Sequence, residues 1–233
     1  MKKEHCTAIV LAAGQGSRMG TKVQKTFLEI GKKPMIYYPL KTFQQSPLID
    51  EIILVVGKGQ EEFCRKNIVE TYHFSKVTRL VEGGTERYHS VWNGLQVVKD
   101  EGYVFIHDGA RPFIDQDSIA RAYEKVIHCR ACVVGMPVKD TIKVADENDF
   151  VRETPDRSRV WISQTPQVFQ TSLVKDAYSR LMREDYIRVT DDAMVVEMML
   201  GYPVKMVCGT YENIKITTSE DLVIGEVFAK LRK

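Results

Sequence analysis

The chain begins with an apolar run that leads directly into a glycine-rich loop, and this strand-to-loop transition strongly constrains the fold. Residues 9–11 are Ile-Val-Leu, a run that is typical of a strand buried on both faces of a parallel sheet. Gly14 and Gly16 follow, and because they lack a Cβ atom the chain can turn sharply and approach a ligand closely. Successive backbone N–H groups in such a turn form an anion-binding concavity. The strand-to-loop transition predicts an anion site at the end of a buried first strand.

Two basic residues accompany this loop. Arg18 offers a planar fork suited to phosphate oxygens, and Lys25 adds a compact point charge. No Gly-Lys-Ser/Thr closes the loop as in a Walker A motif, and the third glycine and acidic residue of the dinucleotide fingerprint are not in place. The alternative is a purely structural role, namely a tight turn with solvated cations. The two cations favour a polyphosphate site, and with it a nucleotide-handling enzyme.

Strand-like and helix-like segments alternate along the chain. Strands are predicted at residues 7–11, 51–56, 77–81, 103–107, 131–136 and 203–207. Helices are predicted at residues 35–45, 61–70, 87–99, 117–129, 173–184, 192–200 and 221–231. This order predicts an α/β fold, namely a Rossmann-like three-layer α/β/α domain over residues 1–233 with a mostly parallel sheet. Ligands of such sheets lie beyond the carboxyl ends of the strands.

Residues 138–165 interrupt the alternation. Strand-like pieces at 141–144 and 159–162 flank a polar stretch, which predicts a β-arm that projects from the core. Two local features are also predicted: Pro34 favours a helix start directly after it, and Thr85 is the expected N-cap of the helix that follows Gly84.

Composition excludes several classes of protein. The 233 residues carry 33 basic and 31 acidic side chains, a net charge of +2, which gives no electrostatic case for a nucleic-acid polymer as partner. No apolar run approaches the ~20 residues that span a membrane, and no signal-peptide core is present. The five scattered cysteines suit a reducing cytoplasm. Cys129 and Cys132 have Cys-x-x-Cys spacing, but they lead into a strand, so we interpret them as buried thiols.

Polar clusters follow several of the predicted elements. Asp108 stands at the end of an apolar strand beside small residues and Arg111, which suits a Mg²⁺ or phosphate site better than a surface turn pair. Taken singly, the remaining clusters are of the type that caps helices or lies in solvent. Together they offer hydroxyls and cations for a second phosphate or a polyol; they contain Thr141, Lys143, Arg157, Thr165, Gln167, Thr190, Asp191, Asp192 and Lys215.

The ordered series of motifs closely resembles the 2-C-methyl-D-erythritol 4-phosphate cytidylyltransferases, a nucleotidyltransferase family of the non-mevalonate isoprenoid pathway. Each motif alone is unspecific, whereas the series spans almost the whole chain and is highly specific. The matching motifs are Leu11-Ala12-Ala13-Gly14-x-Gly16-x-Arg18-Met19, Lys25, Gly83-Gly84-x-x-Arg87-x-x-Ser90-Val91, His107-Asp108-x-Ala110-Arg111-Pro112, Asp140-Thr141-x-Lys143, Thr165-Pro166-Gln167, Thr190-Asp191-Asp192 and Asn213-Ile214-Lys215-x-Thr217.

The resemblance implies transfer of CMP from CTP to a sugar alcohol phosphate with Mg²⁺ as cofactor, by in-line attack on the α-phosphorus. It implies that the residues stabilising the transition state are Arg18, Lys25 and Lys215. The residues it places around CTP are Ala12, Ala13, Gly14, Gly84, Thr85, Ser90, Asp108 and Gly109, with Asp108 beside the metal-bound phosphates. The residues it places on the acceptor are Arg111, Thr141, Arg157, Thr165 and Thr190.

In the family that the chain resembles, the arm reaches over a neighbouring subunit, which implies a homodimer with shared active sites. The chain departs from the family pattern at Thr26, where glutamine is usual, at Thr85, where aspartate is frequent, and at Gly109, where alanine is frequent. Two other functions stay open at this point. A ribitol 5-phosphate cytidylyltransferase is one, although Ala13 favours the methylerythritol reading; a nucleotide-binding regulator without turnover is the other.

Overall fold

The computed structural model of the chain describes residues 3–14, 24–184 and 188–232. The strands are β1 (Cys6–Leu11), β2 (Glu29–Ile30), β3 (Lys33–Pro34), β4 (Glu51–Val56), β5 (Val77–Glu82), β6 (Tyr103–Asp108), β7 (Ala131–Pro137), β8 (Val144–Ala145), β9 (Val151–Glu153), β10 (Trp161–Gln170) and β11 (Lys205–Cys208). The helices are α1 (Tyr37–Gln45), α2 (Glu61–Cys64), α3 (Arg87–Gln96), α4 (Gln116–Cys129), α5 (Thr171–Leu181), α6 (Asp192–Leu200) and α7 (Ser219–Leu231). A π-helical segment, Arg65–Glu70, continues α2, and short 3-10 helices lie at Lys25–Phe27 and Arg157–Arg159.

The central sheet of the described residues has seven strands in the order β11-β7-β10-β6-β1-β4-β5. Strand β1 pairs in parallel with β4 and β6, β4 with β5, and β7 with β11. The carboxyl ends of β1, β4 and β6 therefore meet at one edge, where ligands of such sheets bind. The predicted α/β fold with a mostly parallel sheet is confirmed, and the predicted strands and helices are present with small shifts at their ends.

Strand β10 is the main departure from the sequence prediction. It runs antiparallel to both β6 and β7, and it begins at Trp161, so residues 161–165 of the predicted arm belong to the central sheet. A proline within a segment argues against a strand interior, because it cannot donate to the ladder. The register shifts between Ser163 and Gln167, which interrupts the pairing at Pro166 and lets the strand continue beyond it.

Helices cover both faces of the sheet. The side chains of β1 alternate, with Ala8 and Val10 in one apolar cluster and Ile9 and Leu11 in the other. The first cluster includes buried residues of α1 and α4, and the second includes buried residues of α3, α5 and α6. This two-residue alternation is what a strand between two helical layers requires.

A third cluster joins α7 to the β2–β3 hairpin through buried Ile30, Ile216 and Ala229. The expected helix start after Pro34 is wrong, because Lys33–Pro34 pairs with Glu29–Ile30 and α1 begins only at Tyr37. Within the described residues, no helix is long and apolar enough to cross a membrane.

Within the predicted arm, β8 and β9 pair as a small antiparallel hairpin. Its turn is closed by the Asp146 carboxylate, which accepts hydrogen bonds from the backbone N–H groups of Asn148 and Phe150 at 3.0 Å each. Val144, Phe150 and Val151 are exposed, so the arm makes few apolar contacts with its own chain.

Only one cysteine of the Cys-x-x-Cys pair is buried, although both were predicted to be buried thiols. Cys132 is buried as expected, but Cys129 is partly exposed at the end of α4, where its thiol donates to the carbonyl of Ala131 at 3.2 Å. A hydrogen bond from Cys132 lowers the pKa of Cys129 to about 6.

Candidate functional site

A cavity of about 470 Å³, here called cavity A, opens at the carboxyl ends of β1 and β6. Small residues and backbone line one part of it, and three basic and two acidic side chains line the rest. The lining residues are Leu11, Ala13, Gly14, Lys25, Thr26, Gly84, Thr85, Glu86, Arg87, Ser90, Asp108, Ala110 and Lys215. Cavity A thus contains Ala13 and Gly14, which begin the strand-end loop, together with Lys25 and Lys215, two of the cations that the sequence analysis associates with phosphate.

A smaller cavity of about 210 Å³, cavity B, lies next to it. Arg87, Asp108 and Lys215 line both cavities, so these three residues form the junction between them. Cavity B is completed by side chains from β10, from the segment before α6 and from the turn after β6; they are Arg111, Ser163, Gln164, Thr165, Gln167, Thr190 and Asp191. Two ligands that occupied both cavities would meet at the junction.

Two loops form the rim of cavity A, and a glycine allows their contact. A Cβ atom on Gly83 would lie 2.3 Å from the Cβ of Ala13, so only glycine fits at this approach. The Gly83 N–H donates to the carbonyl of Val56 at 2.8 Å, which ties the loop to the end of β4. The Gly83-Gly84 pair is therefore needed to bring the loop after β5 against the loop after β1.

Ser90 stabilises the same loop from inside α3. Its hydroxyl accepts a hydrogen bond from the Gly84 N–H at 3.1 Å and donates to the carbonyl of Glu86 at 3.2 Å. The predicted N-cap is wrong: Glu86 caps α3, in a capping box with His89. Thr85 is held instead by a 3.0 Å contact between its hydroxyl and Nδ1 of His89. Ser90 and Thr85 thus line cavity A while fixing the shape of its wall.

Ala12 and Gly109 do not line either cavity. Ala12 is fully buried, donates to Val55 and accepts from Gln24, and so lies beneath the loop. Gly109 donates to the carbonyl of Leu11 at 2.8 Å, and a Cβ there would lie 2.6 Å from that oxygen. Both residues join neighbouring strand ends under cavity A.

The junction is an array of charged groups centred on Asp108. Its Oδ1 accepts from Nε of Arg87 at 3.0 Å, and its Oδ2 accepts from Nζ of Lys215 at 2.7 Å. Burial would raise the pKa of Asp108, but the adjacent Arg87 and Lys215 outweigh it and hold that pKa well below its ordinary value. Asp108 is therefore a fixed carboxylate between two cations rather than a member of a surface pair with Arg111.

Arg87 connects this array to the core. Its Nη1 and Nη2 donate to the two carboxylate oxygens of Asp192 at 2.8 Å each, and the Tyr178 hydroxyl donates to Oδ1 of Asp192 at 2.6 Å. Burial would lower the pKa of Arg87, but Asp192 and Asp108 raise it above its ordinary value. Burial also raises the pKa of Tyr178, with Asp192 adding to the shift.

Thr165 and His107 lie beneath the junction. The Thr165 hydroxyl accepts from the Asp108 N–H at 3.1 Å and contacts Nδ1 of His107 at 3.0 Å, while Nε2 of His107 lies 3.0 Å from the carbonyl of Arg111. Burial lowers the pKa of His107 to about 4, so the ring is neutral at pH 7. A neutral ring that donates from Nε2 accepts the Thr165 hydroxyl proton at Nδ1. This series of hydrogen bonds fixes the turn that carries Asp108 and Arg111.

Cavity B is held open by two further sets of bonds. Arg111 donates to the carbonyls of Asn213 and Ser163 at 2.8 and 3.2 Å, and its buried Nε has no partner among the described residues. Asp191 caps α6 by accepting from the Met194 N–H at 2.9 Å. Thr190, which precedes it, is exposed to the cavity. Cavity B is therefore lined by both an oriented guanidinium and an exposed hydroxyl.

The other predicted site residues fall in different places. Lys25 lines cavity A and donates to the carbonyl of Ile216 at 3.5 Å. Arg18 lies outside the described residues. Thr141 and Arg157 are exposed residues near the arm and line neither cavity; Arg157 donates to the carbonyl of Lys139 at 3.2 Å.

Three residues of the array were not assigned a site role from the sequence. Arg87 was part of a matching motif, and Asp192 stood in a predicted N-cap cluster, but Asp191 is the cap and Asp192 is fully buried. Tyr178 carried no signal, because a tyrosine within an amphipathic helix is ordinary core. A charged residue on the buried side of α6 was the available sign that Asp192 needs a partner.

The described residues contain no group of three or more His, Cys, Asp or Glu side chains placed to hold a metal ion. Mg²⁺ does not need such a group, since it is commonly held by one or two carboxylates together with substrate phosphates and water. Asp108 is an ionised carboxylate that lines cavity A, so it fits as a single protein ligand of that kind.

Comparison with known proteins gives a consistent result. The sequence model of the 2-C-methyl-D-erythritol 4-phosphate cytidylyltransferase family matches residues 6–231. A relative with this name from Lachnospira eligens is 50% identical over 96% of this chain and 99% of its own, and one from Lachnoclostridium phytofermentans is 46% identical over 97% of each. The solved 4-diphosphocytidyl-2C-methyl-D-erythritol synthase from Anaerococcus prevotii has a TM-score of 0.85 at 32% identity, covering 98% of this chain and 97% of its own.

Proposed function

The chain belongs to the 2-C-methyl-D-erythritol 4-phosphate cytidylyltransferase family, and we propose how its two cavities divide the work of that reaction. The enzyme transfers CMP from CTP to 2-C-methyl-D-erythritol 4-phosphate, giving 4-diphosphocytidyl-2-C-methyl-D-erythritol and pyrophosphate. The family match does not favour the alternative acceptor, ribitol 5-phosphate.

Cavity A takes CTP in this proposal, and cavity B takes the phosphate of the acceptor. The observation that carries the assignment is the junction, since Arg87, Asp108 and Lys215 line both cavities. A phosphate oxygen of the acceptor attacks the α-phosphorus of CTP and forms a new P–O bond. The bond from the α-phosphorus to the bridging oxygen breaks, and its electron pair leaves with pyrophosphate. No covalent bond to the protein is needed, so catalysis consists of positioning and charge stabilisation.

The basic residues stabilise the charge that builds up at the α-phosphorus. Lys215 lines the junction and Lys25 lines cavity A, which supports assigning both to the triphosphate in this proposal. Arg18 is assigned the same task from its place in the motif. Gly14, Ala13, Gly84, Thr85 and Ser90 shape the nucleotide side of cavity A, whereas Ala12 and Gly109 support it from below.

Asp108 is the residue that would hold Mg²⁺ against the triphosphate. The ion, when bound, supplies positive charge that offsets the phosphate oxygens. Arg111 and Thr190 hold the acceptor phosphate in cavity B, and Thr165 positions the turn that carries Asp108 and Arg111.

Thr141 and Arg157 complete the acceptor site from a second subunit. Both are exposed and line neither cavity of their own chain, as expected of residues that act across a subunit boundary. The exposed apolar side chains of the arm suit the same contact. The functional unit in this proposal is a homodimer in the cytoplasm.

The direct test is pyrophosphate release from the purified protein with CTP, Mg²⁺ and each acceptor in turn. We expect release with 2-C-methyl-D-erythritol 4-phosphate, weak or no release with ribitol 5-phosphate, and a strong preference for CTP over UTP and ATP. Release with ribitol 5-phosphate alone would move the activity to another acceptor. Binding of CTP without release from either acceptor would favour a regulator.

A further inference from the structure

A continuous chain of polar contacts runs from the protein core to the junction. The Tyr178 hydroxyl donates to Asp192, Asp192 accepts both terminal nitrogens of Arg87, and Nε of Arg87 donates to Asp108. The distances from the core outward are 2.6 Å, 2.8 Å twice, and 3.0 Å. Each contact is within the normal range of a hydrogen bond, so the four side chains form one connected array.

Asp192 is an unusual residue for its surroundings. It is fully buried and lines neither cavity, and it stands at the start of α6, whose buried Val195 and Val196 pack in an apolar cluster that includes Tyr178. Burial of a carboxylate is costly, and apolar residues of similar volume stabilise a core at least as well as a buried ion pair does. Stability alone therefore gives no reason for a charge at this position.

The bidentate contact restricts what Arg87 can do. An arginine at the boundary of two phosphate-binding cavities has the donors to bind a phosphate itself. Here its Nε, Nη1 and Nη2 each already donate to a carboxylate oxygen, so the guanidinium is fixed beside Asp108. Arg87 and Lys215 together carry two positive charges, and Asp108 and Asp192 carry two negative charges, which makes the array neutral without ligand.

We propose that Asp192 is a positioning residue for nucleotidyl transfer: by fixing Arg87 from the core side, it keeps that guanidinium on Asp108 and off the triphosphate. The inference rests on the proposed assignment of CTP to cavity A. Asp192 also follows Thr190 and Asp191 of cavity B directly in the chain, so the same contact aligns the two cavities. Tyr178 has a smaller part, because it fixes one oxygen of the Asp192 carboxylate.

The first experiment is Asp192→Asn, which keeps the shape of the side chain and removes its charge. Arg87 then loses its bidentate partner and has a charge that the triphosphate can attract. We expect kcat to fall about 10²-fold, the cost typical of a misplaced group, while the Kd for CTP measured by calorimetry stays the same or decreases. The conservative Asp192→Glu variant, which keeps the charge, should regain part of kcat.

A double variant separates positioning from stability. Arg87→Met alone leaves the carboxylate of Asp192 buried without a counter-charge, with the Tyr178 hydroxyl still bonded to it, so the Tm of this variant should fall strongly. Combining Arg87→Met with Asp192→Asn removes both charges, and Tm should recover because loss of both partners costs less than loss of one. In our proposal kcat does not recover with Tm, and Asp192→Asn adds no further loss of kcat in the Arg87→Met background.

Val195→Ala is the matched control, since Val195 is buried on the same helix and lies outside the polar chain. It should lower Tm while keeping kcat per folded molecule. Recovery of kcat together with Tm in the double variant, additive losses of kcat, or a weaker Kd for CTP in Asp192→Asn would each overturn the proposal. The calorimetric Kd for CTP tests the array even with a protein that does not turn over the methylerythritol acceptor, so the two proposals fail separately.

Discussion

The junction and the arm differ sharply in how their polar residues are held. At the junction, Asp108 and Arg87 are each bonded to two side chains of their own chain, and the array continues into the core. On the arm, Phe150 and Val151 are exposed, and the described side-chain hydrogen bonds of Lys143 and Arg157 go to Thr154 and to the Lys139 carbonyl, which belong to the arm itself. A single chain therefore preorganises the junction, where the two substrates meet in our proposal, but it leaves the arm without a surface to pack on. The difference supports our proposal that the arm acts on another copy of the chain.

Removal of Lys215 should give the largest effect. Lys215→Ala takes away a cation that lines both cavities, so kcat should fall about 10²- to 10³-fold with a smaller change in the KM of either substrate. Steady-state measurement of pyrophosphate release checks this, with the exposed Lys205→Ala as control. A normal kcat would show that Lys215 does not take part in the reaction and that the junction is not where charge is stabilised.

The buried His107 should make the junction sensitive to acid. Its pKa is about 4 in the folded chain and near 6.5 unfolded, so between these values the unfolded chain binds a proton that the folded chain does not. The free energy of unfolding should therefore fall as pH decreases from 6.5 towards 4, by about 3 kcal/mol from this residue.

Denaturant titration at several pH values, on the wild type and on His107→Gln, isolates this contribution from other groups. The free-energy difference between the two proteins should shrink as the pH falls through that window. A difference that stays constant between pH 6.5 and 4 would contradict the neutral, buried ring.

Arg157 should affect the acceptor rather than the chemistry. Arg157→Ala is expected to raise the KM for 2-C-methyl-D-erythritol 4-phosphate about tenfold, a loss of about 1.4 kcal/mol, with little change in the KM for CTP. Initial rates over both substrate concentrations test this. An unchanged KM for the acceptor would show that the arm does not reach a phosphate, and Arg159→Ala is a suitable control because Arg159 lies in the same short helix.

Phe150 should have the smallest effect on the folded chain. It is 72% exposed, so Phe150→Ser is expected to change the free energy of unfolding of a separated subunit by less than about 0.5 kcal/mol. In sedimentation experiments the same change should weaken self-association. A large loss of stability in dilute protein would mean that the arm packs on its own core, which would contradict the difference between the arm and the junction.

The sequence predicted the fold well where the pattern was regular. The run Glu51–Val56 could be assigned as a strand from its apolar residues, and Asp108 could be placed at the ligand edge from its position at the carboxyl end of β6. The strand-like piece predicted at 159–162 overlaps the start of β10, but its continuation to Gln170 was missed because Pro166 and its polar neighbours resemble a loop, and only the register shift lets the strand pass through them. A chain pattern contains no information about such a compensation.

The site could be predicted only in part, because some of its contacts follow from local sequence motifs and others form only in the folded chain. Motif residues such as Lys25 and Thr85 do line cavity A, since loops at strand ends meet there. That Ala12 and Gly109 lie beneath the cavity depends on backbone contacts between β1 and β6, which no local spacing reveals. The pairing of Arg87 with Asp192 joins residues that are 105 positions apart, so it required the fold.

Subunit complementation distinguishes an arm that serves its partner from an arm that serves its own chain. Lys215→Ala is defective at the junction and Arg157→Ala at the arm, and the two variants are co-refolded so that isolated heterodimers carry one of each. If the arm serves its partner, one of the two sites in a heterodimer has neither defect, and pyrophosphate release at low acceptor concentration should return to about half the wild-type rate. If the arm serves its own chain, both sites stay defective, and a rate no higher than that of the parent variants would contradict the account.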